Sequence, residues 1–175
     1  IILAPRQTGK TTFLNLLCIE NAINKISHSL FISTDPMGSL NSLKLLLVSN
    51  KINYTSRNNQ LILFNGSVIY LKQDKQDIRG KFDFVYFDEA SFLNHEFIKK
   101  IHDDILSIIT PNSQIIMISS ASAKKGIFYD IWNNPIYGFY RHEWKLSADE
   151  FMVRMGYANY PELMIRREFL NEFVN

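Results

Sequence analysis

The sequence predicts an α/β fold, with a mostly parallel central sheet flanked by helices and a β-hairpin insert. Three observations carry this. Short apolar runs alternate with stretches of helical spacing, the pattern of strands joined by crossover helices. The stretch Ala4-Pro5-Arg6-Gln7-Thr8-Gly9-Lys10-Thr11-Thr12 fits a phosphate-binding loop: a small residue, four free positions, then Gly-Lys-Thr. The continuous apolar run Phe84-Val85-Tyr86-Phe87 ends in Asp88-Glu89, which brings two carboxylates to the sheet edge where α/β proteins bind ligands.

Taken in order, Ile1-Ile2-Leu3 is a strand leading into the loop, and residues 12–24 form a helix with Phe13, Leu16, Leu17 and Ile23 at helical spacing. Leu30-Phe31-Ile32-Ser33-Thr34 is a buried strand ended by a turn at Asp35-Pro36. Ser39 is placed to cap a helix running through Leu43, Leu46, Leu47 and Val48. Residues 61–64 and 68–71 are two short β runs around Asn65-Gly66, a strong hairpin signal, and this insert does not look like part of the parallel sheet. After the polar loop 72–80 and the acidic strand, a helix carries Phe97, Ile98, Ile101, Ile105, Ile108 and Ile109. Residues 114–118 form another buried strand, 126–133 a short helix, 139–146 a strand and 147–155 a further helix. Pro161 opens a last helix with Leu163, Ile165, Phe169, Leu170 and Phe173. No repeat, linker or low-complexity tract divides the chain, so residues 1–175 are expected to be one domain.

The 175 residues suffice for a sizeable core, and 46% hydrophobic with 21% charged residues is a globular composition. A net charge of +2 does not demand a nucleic-acid partner. The single cysteine, Cys18, excludes an internal disulfide and suits a reducing compartment. His28, His95, His102 and His142 have no metal-ligand spacing, and no apolar run is long enough to span a membrane. No signal peptide is visible. Trp132 and Trp144 are assigned to packing, and Lys124, Lys125, Arg141, Arg154, Arg166 and Arg167 to solvated surface ahead of DNA contact.

The chemistry gathers at the loop. Gly9 allows a close backbone approach to a phosphate, and the amides that open the next helix point at the anion. Lys10 can reach β- and γ-phosphates, Thr11 and Asp88 can hold Mg²⁺, and Glu89 can deprotonate a water aimed at the γ-phosphate. Pro5, Arg6, Gln7, Thr8 and Thr12 complete the nucleotide cradle. Together these residues point to binding and hydrolysis of a nucleoside triphosphate. Ser119, Ser120 and Ser122 are either phosphate sensors or a turn-rich loop. Arg6 and Arg79 are the candidates for stabilising transition-state charge, and for Arg79 a solvated loop charge is the competing reading.

These motifs resemble the ATPase domain of the large terminase subunit, the DNA-packaging motor of tailed bacteriophages and related viruses. The resemblance rests on Arg6-Gln7-Thr8-Gly9-Lys10-Thr11, Asn65-Gly66-Ser67, Arg79-Gly80, Asp88-Glu89-Ala90, Ser119-Ser120-Ala121-Ser122 with Gly126-Ile127-Phe128-Tyr129, and the closing stretch Arg167-Glu168-Phe169-Leu170-Asn171-Glu172-Phe173. It implies a P-loop NTPase of the additional-strand, catalytic-glutamate type. It further implies ATP and Mg²⁺ as cofactors, double-stranded DNA, the viral portal and the small terminase subunit as partners, a homo-oligomeric ring, and a place in the host cytoplasm. Arg79 then resembles a residue acting across subunits, Arg6 the family's phosphate-loop arginine, and residues 119–122 its coupling element, although a Thr usually stands where Ser119-Ser120-Ala121 does. A base-binding segment ahead of Ile1 and a nuclease domain beyond Asn175 are expected outside the sequence, so no nuclease activity is expected of this chain. The alternatives are a helicase-like or remodelling ATPase, which the Asn-Gly-Ser hairpin disfavours, and a nucleotide-binding assembly module with little turnover.

Overall fold

The computed structural model describes residues 1–73, 78–94, 96, 108–147, 149–151 and 161–175. Its centre is an eight-stranded sheet. In chain order the elements are β1 (Ile2–Leu3), α1 (Lys10–Asn24), β2 (His28–Ser33), α2 (Pro36–Ser49), β3 (Tyr54–Arg57), β4 (Gln60–Leu63), β5 (Val68–Gln73), β6 (Phe82–Asp88), β7 (Ile109–Ser119), α3 (Ile127–Asn133), β8 (His142–Glu143) and α4 (Glu162–Glu168). The strands lie in the order β3-β4-β5-β2-β6-β7-β1-β8. Strands β5, β2, β6, β7, β1 and β8 run parallel, and β3 and β4 are antiparallel to their neighbours. The predicted helix carrying Phe97 to Ile105, most of the predicted helix over 147–155, and His95, His102 and Arg154 lie outside the described residues.

One hydrophobic cluster sits on each face of the sheet. On one face α1 contributes Leu14, Cys18, Ile19 and Ala22, and α2 contributes Leu40, Leu43 and Leu47, against Phe31, Tyr86 and Ile118. On the other, Ile127, Phe128 and Ile131 of α3 pack on Leu30, Ile32, Val85 and Phe87. Consecutive residues of β2 and β6 thus feed opposite cores, as the two-residue period of a strand requires, and a strand buried on both faces is apolar at every position. Trp132 and Trp144 are partly buried against these clusters.

Several boundaries differ from the sequence reading. Helix α2 starts at Pro36, not Ser39. Asp35 is the N-cap, its Oδ1 accepting the Gly38 amide at 2.9 Å, and proline fits the first helical turn because its missing N–H has no partner to lose there. The Asn65-Gly66 turn does join an antiparallel pair, yet β5 also pairs along its whole length with β2, so half of the hairpin belongs to the parallel sheet. Strand β3 has no counterpart in the sequence reading. It is polar and mostly exposed, and it turns back through Asn58 and Asn59, both left-handed at φ 45° and 51°. Strand β7 begins at Ile109, well before Gln114, because residues 110–113 form an irregularity tied down by Ser113 Oγ donating to the Phe82 carbonyl at 2.6 Å. Only His142 and Glu143 of the stretch 139–146 make a strand, since their partner β1 is itself two residues long. Helix α4 stops at Glu168, and Asn171 at φ 57° turns the chain, leaving Phe169, Leu170 and Phe173 beyond the helix.

The Asn-Gly-Ser turn closes the end of α1. Asn65 Nδ2 donates to the carbonyls of Ala22 (2.8 Å) and Ile23 (3.2 Å), and Ser67 Oγ donates to the Ala22 carbonyl at 2.7 Å. Ser67 Oγ also accepts the Ser27 amide at 3.0 Å. The terminal carbonyls of a helix need such partners, and here a turn 42 to 45 residues away in sequence supplies them. Ser67 is fully buried. Ser67→Ala strands the Ser27 amide and is expected to lower unfolding free energy by about 1–3 kcal/mol in a denaturant titration. A loss under about 0.5 kcal/mol would show that the hydroxyl is dispensable.

Candidate functional site

The carboxyl ends of β1, β6 and β7 meet at one edge of the sheet, and the predicted phosphate loop leaves from the first of them. Ala4 is buried and its amide donates to the Ser119 carbonyl at 2.9 Å, which ties the loop to the end of β7. Ala4 does not take a positive φ, so the small residue that opens the motif need not be glycine for backbone reasons. The left-handed positions are Gln7 (φ 61°) and Gly9 (φ 81°). A Cβ on Gly9 would meet nothing within 4 Å, so glycine is favoured there by conformation and not by crowding. Thr8 Oγ1 donates to the Pro5 carbonyl at 2.8 Å and closes the turn. The amides at the start of α1 then face the open side of the loop, a ready anion site.

Lys10 is only 4% exposed, and its Nζ donates to the Pro5 carbonyl at 3.0 Å and lies 3.4 Å from Glu89 Oε1. Thr11 Oγ1 lies 3.1 and 3.0 Å from the two Asp88 oxygens. Glu89 takes a left-handed backbone (φ 50°) as the chain leaves β6 for a 3-10 turn over Ala90–Phe92. Its other oxygen, Oε2, accepts Ser119 Oγ at 3.4 Å, while Ser119 Oγ accepts the Ser91 amide at 3.1 Å. Pro5 is buried, the Arg6, Gln7 and Thr12 side chains are exposed, and Ser120 is buried beside Ser119. Residues 5–12, Asp88, Glu89 and Ser119 are therefore gathered at one place.

Burial pushes the Asp88 carboxyl up to about 6, partly opposed by the Thr11 hydrogen bond and by Lys10, with Glu89 adding to the rise. An all-oxygen pair of hydroxyl and carboxylate, with a carboxylate costly to ionise where it stands, suits a hard divalent cation such as Mg²⁺. Among the described residues no group of three or more His, Cys, Asp and Glu side chains could hold a metal ion. None of the described helices is long and apolar enough to cross a membrane.

Arg79 lies elsewhere. It is exposed and precedes β6, whose far end carries Asp88 about 20 Å along the strand. Among the described residues no hydrogen bond or ion pair joins it to the phosphate loop. Arg141 is not solvated surface: its Nη2 donates to the carbonyls of Ile131 (3.0 Å) and Asn134 (2.7 Å) and so caps α3. Arg166 and Arg167 pair with Glu172 (2.7 Å) and Glu168 (2.8 Å). The sequence reading missed one support of the site. The Arg6 amide donates to the Glu168 carbonyl at 2.6 Å, so the last residue of α4 braces the phosphate loop. A backbone-to-backbone contact leaves no side-chain signature to find.

No curated protein matches the chain. Among solved structures, the large terminase of a thermophilic bacteriophage, in complex with ADP, is 15% identical with a TM-score of 0.79, over 99% of this chain and 48% of that one. The HK97 bacteriophage large terminase is 14% identical with a TM-score of 0.74, over 98% and 46%. The large terminase ATPase domain of Thermus phage P74-26 is 17% identical with a TM-score of 0.65, over 99% and 88%. The chain thus spans about half the length of the first two of these proteins and has the fold of all three. The family described as "Terminase large subunit, T4likevirus-type, N-terminal" matches residues 1–164, and the chain belongs to that family.

Proposed function

We propose that this chain is the ATP-hydrolysing part of a viral DNA-packaging terminase, a motor that moves double-stranded DNA into a procapsid. The observation that carries the reading is the convergence of Lys10, Thr11, Asp88 and Glu89 at the mouth of a loop with the phosphate-binding pattern. Family membership and the ADP named with the thermophilic phage terminase support ATP as the substrate.

In this reading the loop amides and Lys10 bind and neutralise the β- and γ-phosphates. Thr11 and Asp88 would hold Mg²⁺, which would supply positive charge to offset that of the phosphates. Glu89 orients a water toward the γ-phosphate and accepts its proton. The 3.4 Å contact between Lys10 and Glu89 supports one order of events. A phosphate competes for Lys10 and frees the carboxylate, which Ser119 still holds. Ser119 and Ser120 then report the state of the γ-phosphate to the chain after β7. Arg6 lies against the nucleotide from within the loop. The exposure of Arg79 and its distance along β6 from Asp88 favour action on a neighbouring subunit's site, hence a homo-oligomeric ring. The portal, the small terminase subunit, double-stranded DNA and the host cytoplasm belong to this proposal as partners and setting.

Two measurements test these roles. In the assembled motor, Glu89→Ala is expected to cut ATP turnover at least about 100-fold while ATP binding survives, as for loss of a general base. Retained turnover removes Glu89 from the mechanism. Asp88→Asn tests the cation site through stability. The folded carboxyl titrates near 6 against an ordinary 3.8, so the folded state carries no penalty below the lower value and loses stability as pH rises through the higher one. Without nucleotide or metal, Asp88→Asn is expected to stabilise the fold by about 1–3 kcal/mol near pH 7 and by close to nothing near pH 4, read from denaturant midpoints. An equal effect at both pH values would mean that the carboxylate carries no burial cost.

A further inference from the structure

A cavity of about 460 Å³ lies between the 3-10 turn Ala90–Phe92, the loop that follows β7 and the start of α3. That volume is in the range of small-molecule sites. Ala90, Leu93, Ala123, Ile127 and Phe128 supply an apolar wall around the backbone of Gly126. The polar side chains are Ser91, Ser122 and Lys125, and no carboxylate lines the cavity among the described residues. Lys125 is exposed and joins no ion pair among those residues. Ser91 Oγ is buried and has no hydrogen-bond partner. The loop after β7 is pinned to the C-terminal segment. There the Val174 amide donates to the Ser122 carbonyl at 3.0 Å, and the Lys124 amide to the Val174 carbonyl at 2.8 Å. The 3-10 turn is tied to the sheet through the Ser91 amide, which donates to Ser119 Oγ at 3.1 Å, and Ser119 Oγ in turn donates to Glu89 Oε2 at 3.4 Å. Glu89 itself opens that turn with a left-handed backbone (φ 50°), a conformation that a non-glycine residue keeps only while its surroundings hold it.

We infer that this cavity is an effector site for a small organic carboxylate with an apolar body, and that filling it slows ATP turnover by shifting the turn that holds Glu89. The effect on turnover rests on the reading of Glu89 as the general base, whereas the binding does not. The wall asks for hydrocarbon, since a fully polar ligand would lose water there without replacing its hydrogen bonds. The charge of the ligand follows from Lys125, which pairs with an anion and repels an ammonium group. Ser122 and the unpaired Ser91 hydroxyl can both donate to the same carboxylate. Inorganic phosphate fails the first requirement and an aliphatic amine the second. A ligand wedged between these elements displaces the turn sooner than the loop, because the loop is bonded to Val174. Movement of Ser91 then breaks the line from its amide through Ser119 to Glu89, while the phosphate loop keeps its own contacts.

The test titrates phenylbutyrate and phenylbutylamine, which share a hydrocarbon body and differ in charge, into the full protein by calorimetry. The acid is expected to bind at least about tenfold more tightly than the amine, the worth of one charged hydrogen bond. Lys125→Glu changes an exposed side chain and is expected to reverse that preference. In the assembled motor, saturating phenylbutyrate is expected to lower kcat at least about threefold with KM for ATP unchanged. Lys10→Ala is expected to lose affinity for ATP and keep that for the acid, which separates the two sites. Equal binding of acid and amine, or an acid affinity untouched by Lys125→Glu, overturns the site. A raised KM for ATP with kcat unchanged puts the acid in the nucleotide site and overturns it too. Binding with the expected preference but no change in kcat overturns the link to Glu89. Retained turnover in Glu89→Ala, by contrast, sinks the reading of the general base and leaves the carboxylate site standing.

Discussion

Thr11 Oγ1 stands 3.0 Å from Asp88 Oδ2 across 77 residues of chain, and that contact exists because β1 and β6 run in the same direction with β7 between them. Parallel strands put all their carboxyl ends on one edge. A loop leaving β1 and an acid ending β6 therefore meet without any long-range side-chain recognition. The backbone bond from Ala4 to Ser119 fixes the height of the loop above that edge. The apolar faces of β2 and β6 hold the strands in register, since a slip of one residue would exchange the two cores. The site is thus a product of sheet register first and of side-chain chemistry second.

Helix α1 carries the other half of the constraint. Its first turn presents the amides and Lys10, and its last carbonyls are held by Asn65 and Ser67. Between these ends, Leu14, Cys18 and Ala22 are fully buried. A helix fixed at both ends and along one face cannot shift its phosphate-facing amides independently of the hairpin. The Asn-Gly-Ser turn, far from any chemistry, is in this sense part of the support of the loop.

Much of this is legible in the sequence, for identifiable reasons. The loop Ala4 to Thr12, the Asp88-Glu89 pair and the Asn65-Gly66 turn depend on residue types with special backbone or charge properties, and such residues leave local marks. The middle of β2, Leu30 to Ile32, and the run Phe84 to Phe87 of β6 are apolar because strands at the centre of the sheet are covered on both faces. Helix α1 is legible as a helix but buries Leu14, Cys18, Ile19 and Ala22, leaving Phe13 and Leu16 of the apolar set read from sequence 38% and 45% exposed. What escapes depends on partners, not composition. Strand β3 is polar and forms because β4 offers it hydrogen bonds. The limits of β8 follow from the shortness of β1. The capping role of Arg141 and the brace from Glu168 onto Arg6 are contacts to backbone carbonyls, which any residue carries. Asp35 reads as the end of a strand when it also begins a helix, since a turn signal and an N-cap use the same residue types.

The two ends of the sheet are β3, four residues long, polar and bearing Arg57, and β8, only two residues long. An open sheet edge is a template on which another chain can add a strand, and long apolar edges invite uncontrolled assembly. Here both borders are too short or too polar to recruit a ninth strand. A neighbouring molecule that reaches these borders therefore meets side chains and not an open row of backbone groups.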